Sequence, residues 1–336
     1  MPPSSPRIAA TLIVRNEARC IARCLNSVAP WVDKMVVLDT GSTDDTVVIA
    51  KAAGAEVHHL PWPDDFAEAR NHALACADAD WNLMLDADEW ISTGGEELRR
   101  WCAGPPRLGF VCIENYVDGS PDPTRCWIPR LLPRGVHYEG RIHEQVASSL
   151  PRERIPVHVG HDGYLAQQKA KKRDRNQALL LRELAEQPEN PYLMFQLGME
   201  AQGQADFQTA CDYLGQALAR APRDAGWRHA LVVSAIPLMS HAGRLADAIA
   251  LADAEFGQWP DSPDYFYVLG DVLFDQAVAD PAQAVDHWLP MAQGAWERCL
   301  TIGERPDLDG SVTGRGSYLA QQSLDIVRSQ LATLAA

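Results

Sequence analysis

The first ninety residues alternate between apolar segments and helix-like segments, and this alternation constrains the fold more than any other feature. Helical spacing of apolar residues predicts a helix around Ile21, Leu25 and Val28, and a second helix is predicted over residues 65–76. Strands that alternate with helices are joined by right-handed crossovers and form a largely parallel sheet. Four apolar runs are predicted to be its strands: residues 7–14, 34–38, 55–60 and 81–85.

Polar residues follow these predicted strands, where a parallel α/β sheet places its ligand site. Asp86 and Asp88 come directly after residues 81–85, while Asn16 and Asp39 follow the first two strands. On an extended chain residues i and i+2 point the same way. We therefore predict that both aspartates face one divalent ion or the hydroxyls of one sugar, with Asp88 a surface carboxylate. Acidic pairs also begin solvated loops, so this motif alone is weak evidence.

Four motifs in this order resemble the family 2 glycosyltransferases of the GT-A fold. The resemblance covers residues 7–164 and is strongest to a bacterial subgroup with a helical-repeat tail, which includes lipopolysaccharide-core glucosyltransferases and peptide S-glycosyltransferases. It implies a nucleotide-sugar-binding GT-A sheet flanked by helices, and transfer of the sugar with inversion. The motifs are residues 12–17 (LIVRNE), 36–44 (VVLDTGSTD), 66–71 (FAEARN) and 85–89 (LDADE).

The resemblance also implies a donor site for a nucleotide sugar, with a UDP-sugar expected, and a divalent cation. Asp88 and His161 are the metal ligands that we expect. Hard oxygen ligands suit Mg²⁺ or Mn²⁺, which neutralises the charge of the leaving diphosphate. The predicted donor-binding residues are Asn16, Glu17, Asp39, Arg70, Asn71 and Asp86.

Several of these residues also have structural interpretations. Asp39 could cap the helix expected to begin at Thr43. Arg70 could pair with nearby acids, Glu68 or Asp65. His143 and His161 could complete the metal shell, bind the diphosphate or serve as hydrogen-bonded structural residues.

An inverting transfer also needs a base that takes the proton of the acceptor. Residues 141–144 (RIHE) resemble an element of the bacterial subgroup, and Glu144 is our preferred base. A salt bridge between Glu144 and Arg141 is the structural alternative. The remaining candidates are Glu114, Asp118 and Glu139.

The sequence changes character after residue 188. Residues 189–336 fit a tetratricopeptide-like pattern of two or three helical hairpins and a closing helix, with Leu197-Gly198 and Ala210 at the expected offsets. Such repeats commonly bind peptides on their concave face and could also associate copies of the chain. We predict a GT-A domain over residues 1–164, a linker helix over 165–188, and a repeat domain over 189–336.

Composition excludes several classes of partner. The net charge is −15, from 30 basic and 45 acidic residues, which argues against general nucleic-acid binding. No apolar run approaches the length of a membrane span, and the first residues lack a signal-peptide pattern. We therefore expect a cytoplasmic protein, with peripheral association at the inner membrane face as an option. The eight cysteines show no paired spacing that indicates zinc or disulfides.

These observations predict a metal-dependent, inverting glycosyltransferase that acts on a glycan or lipopolysaccharide-core acceptor. A peptide or protein acceptor, held by the repeats, is one alternative. A repeat-based adaptor with an inactive nucleotide-binding domain is another, and nucleotide-induced stabilisation would separate it from an enzyme. A sugar nucleotidyltransferase is disfavoured because no glycine-rich loop follows the first predicted strand.

Overall fold

The computed structural model describes residues 5–116, 123–163 and 166–334. The chain divides into two compact units, Met1–Leu179 and Leu180–Ala336. The division falls inside helix α5 (Ala166–Glu186), which covers most of the predicted linker. The exact domain boundaries at residues 164 and 189 remain predictions.

The beginning of the first unit has the predicted alternation of strands and helices. Each predicted strand is present within one or two residues of its expected ends. The elements are β1 (Ile8–Val14), α1 (Ile21–Val28), β2 (Lys34–Asp39), α2 (Thr46–Ala52), β3 (Glu56–His59), α3 (Phe66–Ala77) and β4 (Trp81–Leu85).

The rest of the first unit contains mostly strands. They extend the sheet beyond β4, apart from β8 and β9, which form a separate two-stranded sheet. The elements are β5 (Glu89–Thr93), α4 (Glu97–Cys102), β6 (Leu108–Asn115), β7 (Thr124–Pro133), β8 (His137–Glu139), β9 (Gln145–Ala147) and β10 (Arg152–His161).

The main sheet has the strand order β3-β2-β1-β4-β7-β6-β10-β5. The four strands from β3 to β4 are parallel, as predicted. Beyond them the sheet is mixed, because β7 is antiparallel to both β4 and β6, and β5 is antiparallel to β10. The prediction of a largely parallel sheet was therefore correct for the first half and wrong for the second.

Apolar burial holds this unit together. All of β4 is buried, and the predicted helical face of α1 packs into the same core through Ile21, Leu25 and Val28. Each such side chain contributes about 1.5–3 kcal/mol when removed from water. Since β1, β2 and β4 are adjacent and parallel, the residues that follow them meet at one edge of the sheet.

The second unit is helical. Its helices form three successive hairpins and a closing helix, which confirms the predicted helical array. The elements are α6 (Pro191–Gly203), α7 (Phe207–Arg220), α8 (Arg228–His241), α9 (Leu245–Glu255), α10 (Pro263–Ala279), α11 (Pro281–Gln283), a π-helical segment (Ala284–Trp288), α12 (Leu289–Ile302) and α13 (Tyr318–Leu334). The structure therefore confirms the predicted class, an α/β sheet flanked by helices and followed by an all-α region.

Two glycines explain how the hairpins pack closely. A Cβ atom on Gly198 would lie 2.4 Å from Leu214, and one on Gly270 would lie 2.5 Å from the indole nitrogen of Trp296. These distances are too short for real contacts, so each glycine lets the second helix of its hairpin approach the first. The Leu-Gly pairs in the repeat pattern therefore mark helix contacts. Among the described residues, no helix is both long and apolar enough to span a bilayer.

Candidate active site

The Asp86-Ala87-Asp88 segment is a turn between β4 and β5. The backbone nitrogen of Glu89 donates to the Asp86 carbonyl at 3.0 Å, so the chain reverses immediately after the strand. The prediction that both aspartates point the same way assumed an extended chain, whereas the segment is a turn. Instead, the two carboxylates contact different neighbours.

Asp86 lies between two arginines. Its Oδ1 accepts from Arg70 Nη2 at 2.8 Å, and its Oδ2 accepts from Arg130 Nη2 at 2.7 Å. Burial acts to raise the pKa of Asp86, but Arg130 and Arg70 lower it well below the usual value. The carboxylate is therefore ionised at neutral pH and fixes both guanidinium groups at the end of β4.

Each arginine also contacts a second carboxylate. Arg70 Nε donates to Glu144, and Arg130 Nη2 donates to Glu89 at 2.5 Å. The three carboxylates and two guanidinium groups form one network, which we call the arginine–carboxylate cluster (Arg70, Arg130, Asp86, Glu89 and Glu144). The predicted alternative, pairing of Arg70 with Glu68 or Asp65, is not observed. Asp65 instead caps α3 by accepting from the Glu68 backbone nitrogen.

Polar atoms of the cluster and of the adjacent Tyr138 are buried without hydrogen-bond partners. Arg70 Nη1, Arg130 Nε and the hydroxyl of Tyr138 are all buried and unpaired. Burial raises the pKa of Tyr138 to about 12, so its hydroxyl keeps its proton and can donate. A buried donor without a partner costs about 1–3 kcal/mol. Three such donors beside Asp86 indicate a site built to receive hydrogen-bond acceptors.

Asp88, two residues after Asp86, lies against His161. Asp88 is only 4% exposed, so the prediction of a surface carboxylate was wrong. Its Oδ1 lies 3.7 Å from His161 Nε2, while His161 Nδ1 lies 2.8 Å from Asn115 Oδ1. Burial acts to lower the pKa of His161, but Asp88 raises it overall.

Gly163 lies directly beside the Asp88–His161 pair. A Cβ atom at Gly163 would lie 2.3 Å from Asp88 Oδ2 and 2.4 Å from His161 Nε2. The neighbouring Asp162 is held by Arg19 at 3.0 Å and by Arg23 at 2.8 Å. The chain after β10 is therefore fixed beside Asp88, and only glycine leaves space there.

Asp88 and His161 fit the requirements of a divalent cation. A carboxylate is a common ligand of both Mg²⁺ and Mn²⁺, whereas an imidazole suits a transition metal such as Mn²⁺ better than Mg²⁺, and a partner on the second ring nitrogen is the usual way to orient a ligating histidine. Asn115 occupies that position. In the described part of the chain, no group of three or more His, Cys, Asp or Glu residues is arranged around a metal site. Two protein ligands suit a cation whose other ligands are phosphate oxygens and water.

Asp39 closes the turn after β2. Its carboxylate accepts from the backbone nitrogen of Ser42 at 3.1 Å and lies 3.3 Å from His59 Nδ1. Burial acts to raise its pKa, but the hydrogen bonds from Ser42, His59 and Gly41 lower it overall. The predicted capping of a helix at Thr43 is not observed, because α2 begins at Thr46.

Asn16 and Glu17 connect the chain after β1 to the same loop. Asn16 has a left-handed backbone with φ of 58°, and its side chain accepts from the Thr43 backbone nitrogen at 2.8 Å. The Glu17 backbone nitrogen donates to Thr46 Oγ1 at 2.7 Å. These contacts order the loop beside Asp39.

Asn71 has a structural position. Its Nδ2 donates to the Tyr138 carbonyl at 2.9 Å, and its Oδ1 accepts from the Tyr138 backbone nitrogen at 2.8 Å. The side chain therefore joins α3 to β8. It makes the hydrogen bonds to the Tyr138 backbone that a neighbouring strand would otherwise make. Its predicted contact with the donor remains a prediction, but the structure explains the residue without one.

Replacing Asn71 with alanine should lower the free energy of unfolding by about 1–3 kcal/mol, because the Tyr138 backbone loses both partners. Urea unfolding followed by tryptophan fluorescence measures this change. Asn26→Ala on the exposed surface of α1 is the matched control and should change stability by less than about 0.5 kcal/mol. Normal stability with weakened nucleotide binding would instead support the donor contact.

The candidate bases lie in different surroundings. Glu144 belongs to the cluster, and its observed partner is Arg70. Glu114 is paired with Arg125 at 3.0 Å, Glu139 is 72% exposed, and Asp118 lies outside the described residues. Only Glu144 among the described candidates shares an arginine with Asp86.

His143 lies beside Glu144 and does not join the Asp88–His161 pair. Its φ is 52°, and its Nε2 is buried without a hydrogen-bond partner. Burial lowers its pKa, so the imidazole is neutral near pH 7. Its roles in the metal shell, at the diphosphate or as a structural residue stay predictions.

Four site residues were not assigned a role from sequence. Glu89 and Arg130 complete the cluster, Tyr138 adds a buried donor, and Asn115 orients His161. The acid that follows the aspartate pair was a usable signal for Glu89. The others come from distant strands, so sequence spacing gave no signal for them.

Polar groups at the carboxyl ends of β1, β2 and β4 define a ligand site of the type that α/β sheets use. Residues 11–101 match the family model described as Glycosyl transferase family 2. Residues 11–101, which lie in the sheet unit, therefore resemble a family 2 glycosyl transferase domain, and the helical unit follows that unit.

Curated relatives agree with this assignment. A TPR repeat-containing protein of Synechococcus elongatus is 35% identical over 260 residues, covering 72% of this chain and 64% of the relative. The SPbeta prophage-derived glycosyltransferase SunS of Bacillus subtilis is 28% identical over 285 residues, which cover 80% of this chain and 67% of SunS. The chain thus spans about two thirds of the length of these relatives.

A solved glucosyl-3-phosphoglycerate synthase from Mycobacterium tuberculosis, in complex with Mn²⁺, UDP and glucosyl-3-phosphoglycerate, shares 26% identity. The alignment covers 34% of this chain and 45% of that chain, with a TM-score of 0.28.

Proposed function

We propose that this protein transfers a sugar, with inversion, from a nucleotide-sugar donor to a glycan acceptor such as a lipopolysaccharide core. A UDP-sugar is the expected donor. The observation that carries the proposal is the turn after β4, where Asp88 faces His161 and Asp86, two residues earlier, joins the arginine–carboxylate cluster. A family 2 glycosyl transferase domain over residues 11–101 supports it.

Asp88 and His161 would hold Mg²⁺ or Mn²⁺, together with oxygens of the donor diphosphate. The cation would act as a Lewis acid that neutralises the charge of the leaving nucleoside diphosphate. Asn115 keeps the His161 ring in its orientation, and the absence of a side chain at Gly163 keeps the space beside both ligands open.

The cluster would orient the rest of the donor. Asp86 holds Arg70 and Arg130 in place, and the unpaired donors on these arginines and on Tyr138 can bind phosphate or sugar oxygens. Asp39 lies in the ordered loop after β2 and would contact the ribose or the base. Such fixed donors stabilise developing negative charge without reorganisation during the reaction.

Glu144 would act as the base that accepts the proton of the attacking acceptor hydroxyl. It is 12% exposed and shares Arg70 with Asp86, which places it beside the proposed donor site. Arg70 Nε holds Glu144 in this position, while the unpaired Nη1 of the same guanidinium group would be free to bind a donor phosphate.

The proposal is tested by thermal unfolding with UDP and Mn²⁺, followed by a hydrolysis screen of nucleotide sugars. We expect UDP to raise the melting temperature only when metal is present, because a ligand of the native state stabilises it. Slow metal-dependent donor hydrolysis should identify the sugar. The absence of both effects across all common nucleotides would favour the adaptor alternative. Subsequent transfer to a peptide, but not to glycans, would replace the glycan acceptor.

Gly163→Ala should weaken Mn²⁺ binding by about 10–100-fold, the usual effect of disturbing the surroundings of metal ligands. The added methyl group would collide with both Asp88 and His161. Calorimetric titration of Mn²⁺ in the presence of UDP measures the loss. Gly215→Ala, where the added group meets open space, is the matched control. Unchanged Mn²⁺ affinity in Gly163→Ala would place the metal elsewhere.

A further inference from the structure

Two aromatic side chains stack on each other across β10. Trp90 belongs to β5, and Tyr116 directly follows β6. Their ring centroids are 5.7 Å apart, and the ring planes differ by 16°. β10 lies between these two strands, and a Cβ atom on its Gly160 would lie 2.3 Å from the indole ring. The missing side chain therefore lets the indole lie across β10 and reach Tyr116. We call the two rings the aromatic platform.

Neighbouring groups hold the platform in place, and one of its rings is open to solvent. The Tyr116 backbone nitrogen donates to the His161 carbonyl at 2.9 Å. The guanidinium carbon of Arg23 lies 3.9 Å from the centre of the Trp90 ring, and Asp162 binds that guanidinium group at 2.8 Å. Tyr116 is nevertheless 38% exposed. Because its ring is already fixed, a ligand that stacks on it loses little affinity to side-chain ordering.

Hydrogen-bonding groups lie on the same face of the sheet as the platform. Ser92 is two residues after Trp90, so strand alternation directs both side chains to one face. Glu114 is related to Tyr116 in the same way, and Ser92 Oγ donates to its carboxylate at 3.3 Å. That carboxylate is 12% exposed and is also bound by Arg125 at 3.0 Å. An open aromatic ring beside fixed polar groups matches a sugar ring, which has an apolar face of C–H groups and a rim of hydroxyls.

The platform lies at the same edge of the sheet as the proposed nucleotide contacts, but on the opposite side of β4. β6 runs in the same direction as β4, because β7 is antiparallel to both. Tyr116 therefore follows β6 at the edge where Asp39 follows β2 and Asp88 follows β4. Four strand spacings of about 4.8 Å, or about 19 Å in all, separate β2 from β6, and β4 lies midway. A nucleotide that contacts Asp39 and a cation at Asp88 would end before the platform, so the nucleotide is not its occupant.

We propose that the aromatic platform binds a sugar ring of the acceptor glycan. The C–H face of this ring would pack on the open side of Tyr116, and its hydroxyls would hydrogen-bond to Glu114 and Ser92. Trp90 would keep the phenol ring in its orientation. The identity of the ligand as the acceptor rests on the proposed sugar transfer. Tyr116 would then determine acceptor specificity without touching the reacting atoms.

Saturation-transfer NMR of the full chain with methyl glycosides tests the proposal. The probes are the methyl pyranosides of glucose, galactose, mannose and heptose, each titrated with and without UDP and Mn²⁺. We expect at least one of them to bind, with the strongest saturation at the C–H groups of one ring face. Tyr116→Ala should weaken this binding by at least about tenfold, the usual loss for a central aromatic contact. Calorimetry should show that UDP affinity in the presence of Mn²⁺ stays within about twofold, because the nucleotide does not reach the platform.

Two further variants separate ring stacking from general apolar contact. Tyr116→Phe keeps the flat ring and should retain glycoside affinity within about threefold. Tyr116→Leu keeps an apolar side chain against Trp90 but removes the ring, so it should lose as much affinity as Tyr116→Ala. Tyr318→Ala truncates a tyrosine that is 56% exposed in the second unit. It is the matched control and should bind the glycosides as the original protein does.

Three results would overturn the proposal. Failure of all four glycosides to bind the original protein would remove the sugar site. Unchanged glycoside affinity in a folded Tyr116→Leu protein would show that the ring is not the binding surface. Loss of UDP affinity together with glycoside affinity in Tyr116→Ala would place the ring in the donor site. By contrast, glycoside binding that depends on Tyr116 in a protein that binds no nucleotide would contradict the proposed sugar transfer and support the sugar site.

Discussion

Asp88→Asn should reduce sugar transfer by about a thousandfold or more and abolish metal-dependent UDP binding. The amide keeps the size of the side chain but removes the charge that faces His161. A Lewis acid is worth several kcal/mol of transition-state stabilisation, and about 4 kcal/mol corresponds to a thousandfold in rate. Calorimetry with UDP and Mn²⁺ measures the binding, and donor hydrolysis measures the rate.

Asp88 is 4% exposed, so its replacement could disturb the turn after β4. The experiment therefore needs a charge control and a test of folding. Asp45→Asn removes the same charge from an exposed residue that makes no capping bond at the start of α2, and should retain both properties. Circular dichroism and melting temperature establish whether Asp88→Asn is folded. A folded Asp88→Asn protein whose UDP binding still depends on Mn²⁺ would exclude Asp88 as a ligand.

Sequence predicted the parallel half of the sheet because each strand there is a short apolar run between helical segments. It did not predict the mixed half. β7 and β10 carry charged residues along their length, and their pairing is antiparallel or broken by irregular register, so neither gives a simple periodic signal. The edge that holds Asn16, Asp39 and Asp86 follows from the parallel half alone, which explains why these positions could be anticipated.

The side-chain contacts within the site could not be predicted in the same way. Local spacing suggested that Arg70 pairs within its own helix, whereas the folded chain brings Glu144 to it from 74 residues away. Likewise, the i, i+2 argument for Asp86 and Asp88 depended on an extended backbone. In the turn that the chain adopts instead, Asp86 is held by two arginines, whereas Asp88 faces His161.

Glu144→Gln should lower the turnover number by about two to four orders of magnitude, the usual contribution of a general base. Glutamine retains an oxygen that can accept from Arg70 Nε, so Arg70 should keep its position and its contact with Asp86. Donor affinity should therefore change little. Steady-state kinetics with donor and acceptor varied separately measure both quantities.

The matched control is Glu139→Gln, which removes the same charge from a side chain that is 72% exposed on β8. It should leave turnover within about twofold of the original protein, as expected for a surface substitution. Comparable losses in both variants would indicate a general effect of charge on the acceptor or donor and would remove the assignment of a specific base.

The competing explanation is that Glu144 only positions Arg70. In that case the loss in Glu144→Gln should appear mainly in the KM for the donor, and the dependence of turnover on pH should keep its shape. A base predicts the opposite division: turnover falls, the donor KM is retained, and the acidic limb of the pH–rate profile disappears because the group that must lose its proton is absent. Arg70→Lys provides the reference for a positioning effect, since a lysine cannot reproduce the two contacts of the guanidinium group to Asp86 and Glu144. It should raise the donor KM while the acidic limb persists, so a Glu144→Gln protein with that same behaviour would show that Glu144 only positions Arg70.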